Sequence, residues 1–378
     1  MTIVRIGIIG LGNMGSGHAD YLIKGKIAGA KLTAVSDALE PKREWALAKL
    51  GEEVAFYSSA EELFASGKVD AVIIATPHYD HPTVAVKAFE YGLHVLVEKP
   101  AGVYTKQVRL MNEAAARSGK VFSIMYNQRT NPIYKKLKDL ISSGELGEVR
   151  RTNWIITNWY RSQSYYNSGG WRATWAGEGG GVLANQSPHQ LDLWQWTVGM
   201  MPKRVRAFCQ FGKYRDIEVE DDVTAYVEYV NGATGVFVTT TGEAPGTNRF
   251  EVSGDRGKIV VEDNKLTFWR LRVPEPEFNR TNTVAFGAPE CWKCDIPIEG
   301  GSPEHMGITQ NFVDGILHGK PLIAPGEEGI KGLTLSNAMY LSTWTDNWVD
   351  LPIDEELFYE KLQEKIRESK VKKGGTSE

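Results

Sequence analysis

Cysteine is scarce in this chain, with three in 378 residues. Three thiols cannot build a disulfide framework. Such scarcity fits a reducing compartment, so a cytoplasmic location is expected. Long apolar runs are missing, and none approaches the ~18 residues that a membrane span needs. Residues 3–12 are mostly apolar, but they carry Arg5 and run into a glycine motif, so they read as structure rather than as a secretion signal. A surplus of either charge is missing too. Lys and Arg number 43 against 47 Asp and Glu, for a net charge of −4. Nucleic-acid binders and polybasic membrane-surface proteins carry a basic excess, so neither nucleic acid nor membrane is expected as a partner. There are no internal repeats and no low-complexity linker. Aromatic residues are plentiful: 11 Trp, 15 Tyr and 13 Phe.

At ~150 residues per domain, the length accommodates two to three domains. Residues 1–126 alternate strand and helix signals. Strands are expected at 2–9, 31–36, 54–57, 69–75, 94–98 and 120–126. The helices between them include 42–50, 60–65 (capped by Ser59), 83–91 and 105–118. This alternation predicts a parallel, doubly wound sheet. Residues 127–350 read differently. They hold a helix at 132–142, a long strand at 148–160, a Gly/Trp-rich stretch at 168–181 and a helix at 188–197. Six period-two segments follow between 205 and 271, and then helices at 309–317 and 326–345. Turns fall at Asn231-Gly232 and Asp255-Arg256-Gly257, so this half is expected to be α+β around an open, mostly antiparallel sheet. Residues 351–378 read as a charged helical tail that frays from Lys372. The fold class is therefore α/β, in three segments: 1–126, 127–350 and 351–378.

Gly10-Leu11-Gly12-Asn13-Met14-Gly15 is a G-x-G-x-x-G motif between a strand and a helix. Gly10 permits the tight turn, Gly12 lets backbone approach a pyrophosphate, and Gly15 lets the helix pack close. Asp37 ends the second strand about 20 residues on, where a carboxylate accepts from ribose hydroxyls. Gly10, Gly12, Asn13, Met14 and Asp37 are therefore expected to bind a dinucleotide. Asp37 repels a 2′-phosphate, which favours NAD over NADP, although Arg43 lies within reach in sequence.

Four segments together carry a likeness to a known family: residues 7–15 (GIIGLGNMG), Ala75-Thr76-Pro77 with His81, Glu98-Lys99-Pro100, and residues 179–192 (GGGVLANQSPHQLD). They resemble the Gfo/Idh/MocA oxidoreductases, the family of glucose–fructose oxidoreductase and inositol dehydrogenase, over residues 1 to about 345. The resemblance implies a Rossmann domain followed by an α/β domain whose open sheet mediates homodimers or homotetramers. It implies sugars, inositols or related polyols as substrates. It places Lys99 at the active centre and gives His189 the proton transfer. Many members carry Asp four residues before that His, whereas this chain has Asn185. An amide is neither base nor charge partner, but it still bonds substrate hydroxyls.

The residues themselves suit the oxidation of a secondary alcohol. A bound nicotinamide would accept hydride, and the hydroxyl proton needs a base poised near neutrality. Ser187-Pro188 reads as N-cap and first helical residue. That puts His189 in a first turn, where the positive end of the helix dipole keeps imidazole neutral. Lys99 would stabilise developing negative charge on the substrate oxygen. Thr76, Pro77, His81, Glu98, Lys99 and Asn127 are expected beside the cofactor, with Gln128 and Arg129 near the nicotinamide. His78 and Tyr126 are expected to face substrate. The stretch 154–175 holds Trp154, Trp159, Tyr160, Tyr165, Tyr166, Trp171 and Trp175. Of these the core is expected to absorb more than half. Trp171, Arg172 and Arg161, with Asn185, are expected to bind substrate. His78 and His81 have only Asp80 beside them, so no metal is expected. Cys291-x-x-Cys294 reads as two ordinary thiols in a loop. Three alternatives stay open: an NAD-assisted glycosidase working through a transient 3-keto sugar, a glycoside 3-dehydrogenase, and a non-catalytic NAD-binding redox sensor.

Overall fold

A computed structural model describes residues 2–369. The expected fraying from Lys372 lies outside the described residues. The described residues divide into two compact units, residues 2–130 with 302–333, and residues 131–301 with 334–369.

The first unit is built on six parallel strands: β1 (Val4–Ile9), β2 (Ala30–Ser36), β3 (Ala55–Tyr57), β4 (Ala71–Ile74), β5 (His94–Val97) and β6 (Phe122–Ile124). Helices α1 (Asn13–Ile23), α2 (Glu40–Leu50), α3 (Ala60–Ala65), α4 (Asp80–Glu90) and α5 (Thr105–Ser118) connect them in turn. The strand order is β3-β2-β1-β4-β5-β6, so winding reverses between β1 and β4. In such sheets ligands bind outside the carboxyl ends of the strands, at that reversal. The four residues of β4, AVII, are buried throughout, as a strand covered on both faces requires. Ser59 caps α3 as its sequence promised, accepting from the Glu62 N–H.

Residues 302–333 belong to this unit, whereas the linear reading kept them in the second domain. The reason is burial. Ile308, Phe312 and Val313 of the helix Glu304–His318 are fully buried in the same core as β1 to β6. The Ala324 carbonyl then accepts from the Ile124 N–H and from the Ser123 hydroxyl, at 3.1 and 2.8 Å.

The second unit carries a nine-stranded sheet. Its strands are β7 (Val149–Ile156), β8 (Arg204–Phe211), β9 (Glu220–Glu228), β10 (Thr234–Thr240), β11 (Asn248–Gly254), β12 (Gly257–Glu262), β13 (Lys265–Leu271), β14 (Cys291–Asp295) and β15 (Val349–Asp350). The order is β14-β13-β12-β11-β7-β10-β9-β8-β15. Every pairing is antiparallel except β7 with β10. Helices α6 (Pro132–Ser142), α7 (Gln163–Tyr166), α8 (Pro188–Val198) and α9 (Glu275–Thr281) interrupt the strands. One sheet face is covered. Trp194 of α8 stacks on Phe237, its indole N–H donates to Thr152, and Trp154 stacks on Phe250 with centroids 4.2 Å apart. On the other face Ile155, Phe208 and Tyr226 are exposed, so the sheet is open.

The long strand expected at 148–160 stops at Ile156. There Gly246 packs so closely on Thr157 that a Cβ would lie 2.2 Å from its carbonyl oxygen. Strand β14 and helix α9 gave no sequence signal because neither has a buried face for a pattern to mark. The C-terminal helix Glu355–Glu368 is not a free tail. Phe358 and Leu362 are buried, and Asp354 caps its start.

Candidate active site

In the first unit the glycine motif forms the turn from β1 into α1. Gly10 has φ +89°, and a Cβ there would lie 2.7 Å from the Ala75 carbonyl oxygen. A Cβ on Gly15 would sit 1.8 Å from the Gly10 carbonyl oxygen. A Cβ on Gly12, by contrast, would meet nothing within 4 Å. Helix α1 starts at that open position with no side-chain cap and no acid in its first turn. Its first N–H groups and the positive dipole end therefore suit a pyrophosphate. Asp37 accepts from the Leu11 N–H on one carboxylate oxygen (2.7 Å) and from the Leu39 N–H on the other (2.9 Å). Each oxygen keeps a lone pair for a ribose hydroxyl. Asn13 and Met14 are exposed beside Gly12.

The ends of β4, β5 and β6 bring in the other expected cofactor residues. The Thr76 hydroxyl and the Asn127 amide oxygen are buried with no hydrogen-bond partner. Buried polar atoms of this kind are rare without a ligand or water to satisfy them, so the residues present fit a dinucleotide at both ends. His81 is fully buried as a brace. Its ring nitrogens lie 2.7 Å from the Pro100 carbonyl oxygen and 2.8 Å from that of Thr76, and burial pushes its pKa down. It ties the loop after β4 to the loop after β5. Pro77 is exposed, and His78 is buried with its ring 6.1 Å from His81.

Glu98 is engaged in a network that sequence reasoning missed. One carboxylate oxygen meets His18 Nε2 at 2.7 Å, and the other accepts from the Lys99 N–H at 3.1 Å. His18 Nδ1 meets the Tyr21 hydroxyl, which meets the Thr309 hydroxyl. Burial pulls the Glu98 carboxyl up. The hydrogen bond with His18 and the charges of His18, Lys99 and His305 outweigh that and hold it at about 2. The only sequence sign of His18 was a polar residue on the buried stripe of α1. His305 is half-buried, 6.0 Å from the His18 ring and 3.5 Å from the Asn127 amide nitrogen, and burial pushes its pKa down. Lys99 is half-buried. Tyr126, expected to face substrate, is almost fully buried, and its hydroxyl donates to the Gly329 carbonyl. Arg129 pairs with Glu328 in the same interior.

In the second unit Ser187 and Pro188 start α8 as expected, with His189 half-buried in the first turn. The Ser187 hydroxyl does not cap the helix. It bonds the Thr239 hydroxyl at 3.0 Å, which leaves the helix N-terminus without a side-chain acceptor. The glycine-rich stretch leading here is held by Glu220, which the sequence did not single out. Its buried carboxylate accepts from the Gly181 N–H (2.9 Å), the Leu183 N–H (2.8 Å) and the Tyr340 hydroxyl (2.8 Å). Burial outweighs these bonds and pushes the group up to about 7.

Asn185 donates its amide to Glu178. Glu178 is 2% exposed, accepts from the Ala173 N–H at 2.6 Å, and lies 3.8 Å from the Arg172 guanidinium. A buried carboxylate thus stands beside the amide. Arg172 sits over the rings of Trp171 and Tyr165. The Tyr165 hydroxyl accepts from Arg172 (3.0 Å) and Gln186 (3.2 Å), and Arg161 lies over the same ring. Trp171, Arg172, Arg161 and Asn185 therefore form one cluster, joined by Tyr165, Glu178 and Gln186. Trp154, Tyr166 and Trp175 are core.

Cys291 and Cys294 lie on the edge strand β14 rather than in a loop. Three residues apart on a strand, they point to opposite faces. Among the described residues no three His, Cys, Asp or Glu gather as a metal site, and no helix is long and apolar enough to cross a membrane.

Taken with the sheet reversal, the open glycine loop and Asp37 define the class of the first unit: a dinucleotide-binding domain. Residues 4–126 match the family described as "Oxidoreductase family, NAD-binding Rossmann fold", and residues 134–260 match the "GFO/IDH/MocA C-terminal domain". The chain belongs to the Gfo/Idh/MocA oxidoreductases. It is 28% identical over 265 residues to the scyllo-inositol 2-dehydrogenase (NAD(+)) of Bacillus subtilis, covering 68% of this chain and 73% of that one. It is 24% identical over 342 residues to the myo-inositol 2-dehydrogenase of Thermotoga maritima, covering 89% and 95%. Among solved structures, the WlbA dehydrogenase of Chromobacterium violaceum, in complex with NADH and UDP-GlcNAcA, matches with a TM-score of 0.78. That match has 26% identity and covers 94% of this chain and 97% of that one.

Proposed function

We propose that this protein is an NAD-dependent dehydrogenase that moves hydride between the nicotinamide and a secondary hydroxyl of a sugar, glycoside or inositol. The observation that carries this is the uncapped α1 N-terminus at Gly12, with the Asp37 carboxylate beside it. The naming of two relatives as inositol dehydrogenases supports the substrate class. Asp37 supports NAD over NADP, because a carboxylate repels a 2′-phosphate.

When bound, NAD supplies the hydride acceptor. In this reading Lys99 donates to the reacting oxygen and stabilises its developing charge. Its position is set through its own backbone N–H, which Glu98 holds. His189, in the first turn of α8, accepts the hydroxyl proton. Asn185 and Arg172, fixed by Glu178, orient hydroxyls, and Trp171 offers an aromatic face. The open face of the nine-stranded sheet is the proposed homo-oligomer surface, and the three free thiols accord with a reducing, cytoplasmic setting.

The test is nicotinamide absorbance with NAD or NADP against inositols, free sugars and aryl glucosides. NADH formed with one polyol class is expected. Aglycone release without net reduction would replace the reading by the NAD-assisted glycosidase. Preference for NADP would overturn the cofactor assignment.

A further inference from the structure

The Arg161 cluster in the second unit carries more positive charge than it needs for its own structure. Arg161 is half-buried, and its guanidinium lies over the rings of Trp159 and Tyr165 at 5.9 and 5.1 Å. One terminal nitrogen donates to the Tyr160 carbonyl, and the buried Nε–H has no partner. No carboxylate among the described residues lies within 4 Å of it. Arg215 follows the same pattern. Its Nε donates to the Arg161 carbonyl (2.8 Å), a terminal nitrogen donates to the Tyr214 carbonyl, and its guanidinium lies over Tyr160, again with no ion pair among the described residues. Arg172, over the same Tyr165 ring, has Glu178 as its counter-charge. Of the three guanidinium groups, only that of Arg172 has a carboxylate within 4 Å among the described residues.

A second, independent observation marks the same place. Gln186 is 6% exposed, its amide nitrogen is bonded to the Tyr165 hydroxyl, and its amide oxygen has no partner. Gln186 is three residues before His189. The cluster is therefore continuous with the segment that presents the proposed base. Buried donors without acceptors are costly, and chains rarely keep them idle. A planar guanidinium edge matches a carboxylate or a phosphate better than a neutral hydroxyl, because each N–H then meets a charged oxygen.

We infer that this cluster receives an anionic group, a carboxylate or a phosphate, carried by the sugar substrate. The inference rests on the dehydrogenase reading for the word substrate. Arg161 supplies the unpaired Nε–H edge, Arg215 adds long-range attraction, and Gln186 accepts from a neighbouring hydroxyl. The preferred substrate then carries an acidic group on its sugar or polyol, and a neutral polyol turns over with a weaker hold.

The test uses the full chain loaded with NADH or NAD and four probes: D-glucose, D-glucuronate, D-glucose 6-phosphate and UDP-glucuronate. Binding is read by calorimetry on the NADH complex, and turnover by absorbance with NAD. At least one acidic probe is expected to bind tenfold or more tighter than glucose, with an affinity that weakens as salt rises. Glucuronate against glucose 6-phosphate separates carboxylate from phosphate. Arg161→Gln is expected to cut that preference tenfold or more, and Arg161→Lys to restore part of it. Equal binding of all four probes, or a preference unchanged in Arg161→Gln, would overturn the inference. So would a preference in Arg161→Lys no greater than that in Arg161→Gln. Acidic probes that bind but never reduce NAD would leave the anion site standing and count against the dehydrogenase reading instead.

Discussion

Gly12→Ala separates cofactor binding from folding with one methyl group. Gly12 has φ −66°, open to any residue, and the added Cβ meets nothing within 4 Å. Two small terms oppose each other in the free protein. Alanine restricts the unfolded chain, a gain of about 0.4–1 kcal/mol. Alanine is also a poorer N-cap than glycine, a loss of roughly the same size. The net change in stability is therefore about zero, within ~1 kcal/mol. Binding behaves differently, because the open space at Gly12 is where a pyrophosphate would approach the backbone. A methyl group there displaces the phosphate from the N–H groups of α1, and a loss of ~1.4 kcal/mol or more is a tenfold or greater rise in Kd. The assay is fluorescence titration with NADH, beside thermal unfolding with and without cofactor. Gly12→Ala should unfold within a few degrees of the parent when free, yet gain much less from NADH. Parental NADH affinity in this variant would refute the reasoning. Gly15→Ala is the control, since its Cβ would overlap the Gly10 carbonyl and must destabilise the fold with or without NADH.

Four further outcomes are expected. His18→Leu leaves the Glu98 carboxylate buried without its partner, which should cost about 3–5 kcal/mol in denaturant unfolding; the double variant with Glu98→Leu should recover much of that, and an additive loss would contradict the pairing. The folded Glu98 group, held at about 2, stabilises above its unfolded range near 4.5 and loses that contribution as pH falls toward 2, so Glu98→Gln should flatten the acid side of the stability profile. Glu220 has the opposite sign. Raised to about 7, it contributes stability in full below about 4.5 and loses it as pH rises through 7, so the advantage of the parent over Glu220→Gln in thermal unfolding should shrink from pH 5 to pH 8. Lys99→Met and His189→Ala should each lower kcat by about 10²–10⁴ while NADH binding stays within a few-fold; intact turnover in either would remove that residue from the proposed chemistry.

The parallel sheet was legible because each of its strands is a short apolar run flanked by turn residues, and β4 is buried along its whole length. The glycine loop was legible because three glycines at fixed spacing answer three different contacts, two of which appear as backbone oxygens within 2.7 Å of a would-be Cβ. What stayed hidden is long-range pairing. His18 meets Glu98 across eighty positions, and Glu220 meets Gly181 across thirty-nine. Neither partner announces the other locally. Ser187 shows the same limit in reverse. Its place before Pro188 is the place of a cap, but a threonine on β10 competes for the hydroxyl and wins. Strand β14 was invisible because an exposed edge strand has no buried side to make a pattern.

The return of residues 302–333 to the first unit sets a timetable for the chain's birth. When the first 130 residues leave the ribosome, their sheet lacks Ile308, Phe312 and Val313, and the β6 edge lacks the Ala324 carbonyl that its Ile124 N–H will meet. The whole of 131–301 must be made before those residues exist. At a synthesis rate of roughly 5–20 residues per second, the first unit waits on the order of ten seconds or more, with apolar surface uncovered, for its last helix. A nascent chain halted near residue 130 is thus a client for chaperones rather than a finished module.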